Sequence, residues 1–389
     1  MTAREPIPLS CPEVTDHDRQ CVLEVLNGAT LSLGPHLPAF ERAIAEVAGT
    51  KFAVGVNSGT SGLHLCVKAA GIRPGDEVIT TPFSFVASAN CLLYEGAAPR
   101  FVDIDAGTYN INPRRIEEAV TDRTRGVLPV HVFGRPCDMN AIRRIATRRG
   151  LPVIEDACEA IGAKYKGRPA GSFGQSAVFA FYPNKQITTG EGGAIATNDE
   201  AITRLCRSWR NQGRGEDGGW LQHEQLGYNY RLSEINCALG TAQLSRLSQT
   251  LAKREAVACR YSQMLRDVAA VIPPAPAEPG CEISWFVYVV RLRDEFSRAD
   301  RDYILRFLRG QNIGCSDYFS PIHLQPFYRE RFGYRPGDFP ITELVSERTI
   351  ALPFHSNLTP SQSERVVEAL VTAIESIRHR SVVFAARAS

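Results

Sequence analysis

Short apolar runs alternate with stretches of helical periodicity from about residue 50 to residue 200. Two of these stretches, 61–70 and 138–149, carry apolar residues at helical spacing, and each is followed by a glycine that can end a helix. The apolar runs predict buried strands at 77–80, 100–103, 127–131, 152–154 and 177–181. Alternation of strand and helix over this length predicts an α/β protein with a mostly parallel sheet and helices on both faces.

The pattern changes after about residue 245. The later region contains, in order, a long helical stretch to about residue 266, a proline-rich segment at 272–280, an apolar strand at 283–290, a helix around 303–310 and a last helix from about 359. This composition predicts a smaller α+β unit. We therefore predict a large domain at 1–245, whose first residues pack on the other unit, and a small domain at 246–389.

Composition narrows the possible partners. The 44 Lys and Arg residues balance 42 Asp and Glu residues, so a nucleic acid partner is not expected. No apolar run has the 18 residues that a membrane span needs, and the first ten residues lack the pattern of a secretory signal. Eleven cysteines without CxxC pairs indicate reduced thiols and no metal site. We expect a cytoplasmic protein.

Two polar clusters suit a phosphate and a flat ring. In NSGTSG at 57–62, Gly59 allows close approach of the backbone, and Thr60 and Ser61 offer amides and hydroxyls at a helix N-terminus. Taken alone, this turn could also be a simple helix cap. Phe85 follows a strand end, where it could stack on a flat ring or belong to the core.

Two further clusters carry ionisable side chains. Asp156 ends an apolar strand, where a buried carboxylate needs a cationic partner unless it caps the next helix. Lys185 follows another apolar strand and precedes a glycine-rich turn at 188–193. Most lysines lie at the surface, but partial burial would favour the neutral amine, which is nucleophilic toward an aldehyde. Together, a phosphate cradle, an aromatic ring, a carboxylate and a lysine match the requirements of pyridoxal 5'-phosphate (PLP).

In order and spacing, the motifs resemble those of the DegT/DnrJ/StrS family of PLP-dependent sugar aminotransferases. The resemblance covers nearly the whole chain and includes LGP at 33–35, NSGTSGLHL at 57–65, GDEVI at 75–79, EDACEAIGA at 155–163, NKQITTGEGG at 184–193, GYNYR at 227–231 and PIH at 321–323. It implies a three-layer α/β/α architecture of PLP-transferase fold type I with a smaller C-terminal α+β domain. It also implies a homodimer with shared active sites.

The resemblance assigns roles to individual residues. It implies that Lys185 forms the internal aldimine, that Asp156 pairs with the pyridine nitrogen and that Phe85 stacks on the ring. It places Gly59, Thr60 and Ser61 at the phosphate, and it has Asn229 reach the phosphate of the neighbouring subunit. Substrate contacts are expected from Tyr182, Arg231 and His323.

Two positions depart from the commonest family pattern. Ala180 stands where many relatives have a phosphate-binding serine, so the phosphate should depend more on Thr60, Ser61 and Asn229. Glu159, which is also expected to contact the cofactor, stands where Gln or His is usual near the phenolic oxygen of the ring. A carboxylate there is unfavourable unless it is protonated or paired.

The favoured hypothesis is an aminotransferase that converts a keto group of a nucleotide-linked sugar to an amine, with glutamate or glutamine as donor. An aminotransferase acting on a keto-cyclitol or another small ketone is the alternative within PLP chemistry. A third hypothesis is a non-catalytic regulator that keeps the fold.

Overall fold

The computed structural model of the chain describes residues 5–215 and 222–388, with side chains up to residue 379. The first part contains α1 (Asp16–Leu26), α2 (His36–Ala48), β1 (Phe52–Val56), α3 (Gly59–Ala69), β2 (Glu77–Thr80), α4 (Ala87–Tyr94), β3 (Ala98–Phe101), α5 (Pro113–Ala119), β4 (Thr124–Val127), α6 (Met139–Arg149), β5 (Ile154–Asp156), β6 (Lys164–Tyr165), β7 (Arg168–Pro169), β8 (Ser176–Ala180), β9 (Gly193–Thr197), α7 (Glu200–Arg210) and α8 (Glu234–Ser245). The later part contains α9 (Leu247–Leu265), β10 (Val271–Ile272), β11 (Tyr288–Leu292), α10 (Arg298–Gly310), α11 (Pro326–Phe332), α12 (Pro340–Ser346), β12 (Thr349–Leu352) and α13 (Pro360–Ala388).

The central sheet has the strand order β3, β2, β4, β5, β8, β9, β1. Its two halves meet where Val127 of β4 bridges Val153 and where Val130 bridges Asp156 of β5. Strand β9 is antiparallel to both neighbours, and the other adjacent pairs are parallel. The prediction of a mostly parallel sheet is confirmed.

Alternate residues of the sheet point into two different cores. On one face, Val54, Val178 and Ile195 pack with side chains of α3 and α7. On the other face, Phe179 and Ala194 pack with side chains of α2 and α8. Because neighbouring residues of a strand point to opposite faces, these two cores make the sheet the middle of three layers, as predicted.

The later residues build a third core around the antiparallel sheet β10–β11–β12, packed against α9, α10 and α13. Ile7 belongs to this core, and its backbone pairs with Asn312 and Gly314. The N-terminal segment therefore packs against residues far along the chain. The division of the chain at residues 245 and 246, which lies between α8 and α9, stays a prediction.

Several strand boundaries differ from the predicted ones. The strand expected at 152–154 is Ile154–Asp156, so both of its acidic residues lie within the sheet. The strand expected at 283–290 begins only at Tyr288. The residues before it instead bond to a loop of the large sheet, through Ser284 N–H to Gly134 O and Phe286 N–H to Phe133 O. Among the described residues, no helix has the length and apolar character to cross a membrane.

Candidate active site

A cavity of about 450 Å³ opens at the carboxyl ends of β5 and β8, next to the start of α3. This is where open parallel sheets bind ligands. Of the residues predicted from sequence, those that line it are Gly59, Thr60, Phe85, Asp156, Glu159, Ala180, Tyr182 and Lys185.

Asp156 is a buried carboxylate at the floor of this cavity, with 4% of its surface exposed. Its Oδ2 accepts a hydrogen bond from Ser88 Oγ at 2.7 Å, and its Oδ1 accepts from the Cys158 backbone N–H at 3.1 Å. Ser88 is itself hydrogen-bonded to Ser84 Oγ at 2.7 Å. A carboxylate has about four acceptor positions, so Asp156 is oriented by these donors and can still pair with a cationic group in the cavity.

The start of α3 is organised by Ser58. Its side-chain oxygen accepts from the Ser61 N–H at 3.1 Å, and its backbone oxygen accepts from the Gly62 N–H at 3.1 Å. The Ser61 hydroxyl donates to Asn57 Oδ1 at 2.6 Å, and Ser61 does not line the cavity. The helix start that faces the cavity is therefore Ser58, Gly59 and Thr60, with the positive end of the helix dipole.

Gly59 is packed so closely that a side chain there would collide with the sheet. A Cβ at this position would lie 2.7 Å from Ala180 Cβ and 3.0 Å from Cys158 Sγ. The missing side chain brings the backbone of α3 up to the end of β8. Ala180 thus packs directly against the backbone of Gly59. Ser58, and not the predicted Ser61, lines the cavity.

Lys185 lines the same cavity as this helix start, with 13% of its side chain exposed. Its Nζ is 3.9 Å from the ring centroid of Phe286 and 3.5 Å from Glu159 Oε1. The aromatic residues Phe85 and Tyr182 border the same cavity and are 61% and 51% exposed. An amine, a carboxylate and an exposed ring therefore line one cavity.

Glu159 is both buried and paired, which are the conditions that make a carboxylate tolerable here. Its Oε2 accepts from the Phe133 backbone N–H at 2.8 Å, and its Oε1 faces Lys185. Burial raises the pKa of Glu159 above its ordinary value, while Lys185 opposes that shift.

Glu155, the other acidic residue of β5, belongs to a different environment. It accepts hydrogen bonds from the backbone N–H groups of Gly171, Phe173 and Gly174 and pairs with His131 Nε2 at 3.0 Å. His131 Nδ1 accepts a hydrogen bond from the Cys137 N–H. The ring proton is therefore on Nε2, which donates a hydrogen bond to Glu155. His131 is a satisfied buried histidine that supports the loop beside the cavity.

Besides Ser61, three predicted contact residues lie outside this cavity. His323 is buried, and its Nε2 is 3.0 Å from Glu343 Oε1. Burial lowers the pKa of His323, and its ring packs on Phe339. Arg231 donates to Asn211 Oδ1 at 3.1 Å, and Asn229 is exposed. This arrangement lends no support to a substrate contact by His323, which instead holds α12 against the loop before α11.

Sequence reasoning missed several lining residues. Ser84 lies in the bend before α4 and Ser88 lies in the first turn of α4, where the two hydroxyls are hydrogen-bonded to each other. Ser58 was inside a recognised motif and precedes the first helical residue, which is the signature of an N-cap. Phe286, Tyr318 and Phe319 come from more than 100 residues beyond Lys185, and no local pattern indicated them.

Comparison with known proteins identifies the family. The sequence profile of the DegT/DnrJ/EryC1/StrS aminotransferase family matches residues 12–371. The chain belongs to this family. It is 39% identical over 366 residues to the GDP-perosamine synthase of Caulobacter vibrioides, covering 94% of this chain and 97% of that protein.

Solved structures of aminotransferases have the same fold. The Helicobacter pylori aminotransferase PseC, involved in the biosynthesis of pseudoaminic acid, aligns with a TM-score of 0.91 at 30% identity, over 96% of this chain and 100% of that one. The PLP form of the putative sugar aminotransferase Spr1654 from Streptococcus pneumoniae aligns with a TM-score of 0.91 at 25% identity, over 96% and 100%. This DegT/DnrJ/EryC1/StrS enzyme is therefore a PLP-dependent aminotransferase.

The cavity of this aminotransferase fits the cofactor. The close contact of Gly59 with Ala180 leaves helix-start amides at the cavity for a phosphate, and Asp156 is a buried carboxylate that can hold a protonated ring nitrogen. Lys185 is the lysine that lines this cavity among the described residues.

Proposed function

We propose that this enzyme transfers an amino group from glutamate or glutamine to a keto carbon of a nucleotide-linked sugar, with Lys185 as the amine that bonds to the cofactor aldehyde. When bound, PLP supplies an electron sink for the carbon from which a proton is removed. Lys185 then moves that proton, and Asp156 holds the charge that keeps the ring an effective sink. The burial of Lys185 and Asp156 in one cavity supports these roles.

The proposal that the sugar is nucleotide-linked rests on a second groove next to the first cavity. It has a volume of about 830 Å³ and shares Ser84, Phe85 and Phe319 with the first cavity. Its outer part contains the exposed rings of Tyr94 and Phe327, which are 54% and 51% exposed.

Arg331 completes this groove, and its guanidinium lies 5.8 Å from the ring centroid of Phe327. Exposed aromatic rings suit a nucleobase, and a guanidinium suits a diphosphate. We propose that the sugar occupies the first cavity and the nucleoside diphosphate the second. The name of the Caulobacter relative, GDP-perosamine synthase, supports the same substrate class.

A substrate panel tests this assignment. The enzyme would be assayed with keto-sugars linked to nucleoside diphosphates, with the same sugars without the nucleotide, and with keto-cyclitols, each with glutamate and with glutamine. We expect the highest kcat/KM for a nucleotide-linked keto-sugar. Equal kcat/KM with and without the nucleotide, or turnover confined to keto-cyclitols, would contradict the proposal.

A pair of arginine variants makes the panel specific to the groove. Arg331→Gln should raise KM for the nucleotide-linked sugar about tenfold, because a hydrogen bond to a charged group contributes roughly 1.5–3 kcal/mol. It should not change the KM of the nucleotide-free sugar. Arg329→Gln is the matched control, because Arg329 lies on the same helix, is exposed and does not line the groove.

We also propose that the enzyme is a homodimer in which Asn229 completes the site of the neighbouring subunit. The stacked rings of Tyr228 and Tyr230, with centroids 4.9 Å apart, lie on one side of this segment, so Asn229 between them projects to the other. The exposure of Asn229 supports a role outside the cavity of its own subunit.

We further propose a cytoplasmic location, which is supported by the eleven cysteines, all of them free thiols.

A further inference from the structure

The contact between Glu159 and Lys185 joins two ionisable groups that are both largely withdrawn from water. Their side chains are 8% and 13% exposed, and the Nζ–Oε1 distance is 3.5 Å. At this separation an ion pair and a neutral acid–amine pair differ only by the position of one proton. Burial disfavours separate charges, and mutual attraction favours the ion pair.

Glu159 is held in place both at its carboxyl group and at its backbone. Its Oε2 accepts from the Phe133 N–H, and its backbone oxygen accepts from Gln186 Nε2 at 2.6 Å. Phe133 has a φ of 58° and is followed by Gly134 with a φ of 85°. A Cβ on Gly134 would lie 1.7 Å from Ser284 O, so this left-handed turn is locked against the segment that carries Phe286.

The surroundings of Glu159 contain few other charges. The ionisable groups that act on it or respond to it are Lys185, Asp156, Cys158 and Tyr318. Of these, Lys185 is the cation, and Asp156 disfavours a second negative charge on Glu159. Phe286 also favours the charged amine, because its ring lies 3.9 Å from Lys185 Nζ.

We propose that Glu159 is a positioning residue that holds the proton of Lys185: the carboxylate stabilises the ammonium form of Lys185, and it takes up the proton when the amine becomes neutral. The step conserves charge and atoms, because one proton moves from Nζ to a carboxylate oxygen and returns. This inference rests on the proposed role of Lys185. The amine is thereby kept in a fixed place and unreactive until a cofactor or substrate arrives.

The test is the acetylation rate of Lys185 in the full chain after removal of the cofactor, measured by peptide mass spectrometry. Only the neutral amine reacts. An opposite charge within about 4–6 Å changes a protonation equilibrium by about tenfold or more, so Glu159→Gln should acetylate at Lys185 about tenfold faster at neutral pH. The pKa of Glu159 is raised by burial, and protonation removes the charge. The rates of the two proteins should therefore converge as the pH falls through the titration of Glu159.

Glu191→Gln is the matched control, because Glu191 is an exposed carboxylate that lines the same cavity. The acetylation rate of Lys185 in Glu191→Gln should stay within twofold of the rate in the protein without substitutions. An equal rise in the acetylation rate in both variants would assign the effect to the overall charge of the cavity and would overturn the proposed pairing of Glu159 with Lys185. A Glu159→Gln rate that is unchanged, or faster by a factor independent of pH, would also overturn it. Thermal unfolding of each variant establishes that it is folded, and because no substrate is involved, this result is independent of the substrate panel.

Discussion

The close packing of Gly59 makes a quantitative prediction about cofactor affinity. In Gly59→Ala, the new Cβ would lie 2.7 Å from Ala180 Cβ, whereas ordinary contacts begin at 3.4 Å. The start of α3 must therefore move by about 0.7 Å, the difference between these distances, or compress its neighbours. Overpacking of this kind typically costs about 1–3 kcal/mol. Because the displaced backbone carries the amides of Gly59 and Thr60, we expect PLP affinity to fall about tenfold to a hundredfold.

The assay is titration of the cofactor-free chain with PLP, followed by visible absorbance. The compensating substitution is Ala180→Gly, because it removes the Ala180 Cβ with which the new side chain would collide. The double variant Gly59→Ala, Ala180→Gly should recover most of the lost affinity, but not all, because Cys158 Sγ still lies 3.0 Å from the new Cβ. Unchanged affinity in Gly59→Ala, or a double variant that binds no better than Gly59→Ala, would refute the reasoning.

Three further predictions follow from the site. Asp156→Asn should retain PLP but slow proton removal in the half-reaction with amino donor by at least tenfold, because the ring nitrogen loses its charged partner; stopped-flow spectroscopy would measure this, and a rate within threefold of the parent would contradict it. Mixing inactive Lys185→Ala and Asn229→Ala subunits should restore part of the activity in verified heterodimers, since one of the two shared sites is then intact; no recovery would place Asn229 in its own subunit's site. Glu155→Gln should lower the free energy of unfolding by about 3 kcal/mol, because a carboxylate that accepts several buried hydrogen bonds loses its charge; urea denaturation would measure the loss, and an unchanged midpoint would contradict it.

The sheet was predictable where strands are bounded by turn residues. Strand β2 has the predicted limits, and α6 ends at Gly150, whose φ of 63° is the left-handed conformation that the glycine signal implies. The apolar run at 152–154 marked only the start of β5, because the two strand residues that follow it are carboxylates and continue no apolar pattern. In the folded chain, backbone N–H groups and His131 satisfy Glu155, and Ser88 satisfies Asp156, so both residues remain in the sheet.

The site was predictable where its residues come from local motifs at strand ends. Gly59, Asp156 and Lys185 each follow or end a strand, and all three line the cavity. Among the motifs at strand ends, Ser61 does not line the cavity, because its hydroxyl donates a hydrogen bond to Asn57. Phe286 and Tyr318 could not be anticipated, because they reach the cavity through pairing between distant segments.

The central proposal is that Lys185 is the lysine to which the cofactor binds in this aminotransferase. Reduction of the PLP-loaded enzyme with borohydride would fix the cofactor to its lysine, and peptide mass spectrometry would locate it. We expect the modification on Lys185, and we expect it to be absent after prior incubation with the amino donor, glutamate or glutamine, when the amino group has been transferred to the cofactor. Modification at another lysine, or no fixation in an enzyme that still transfers amino groups, would contradict the account.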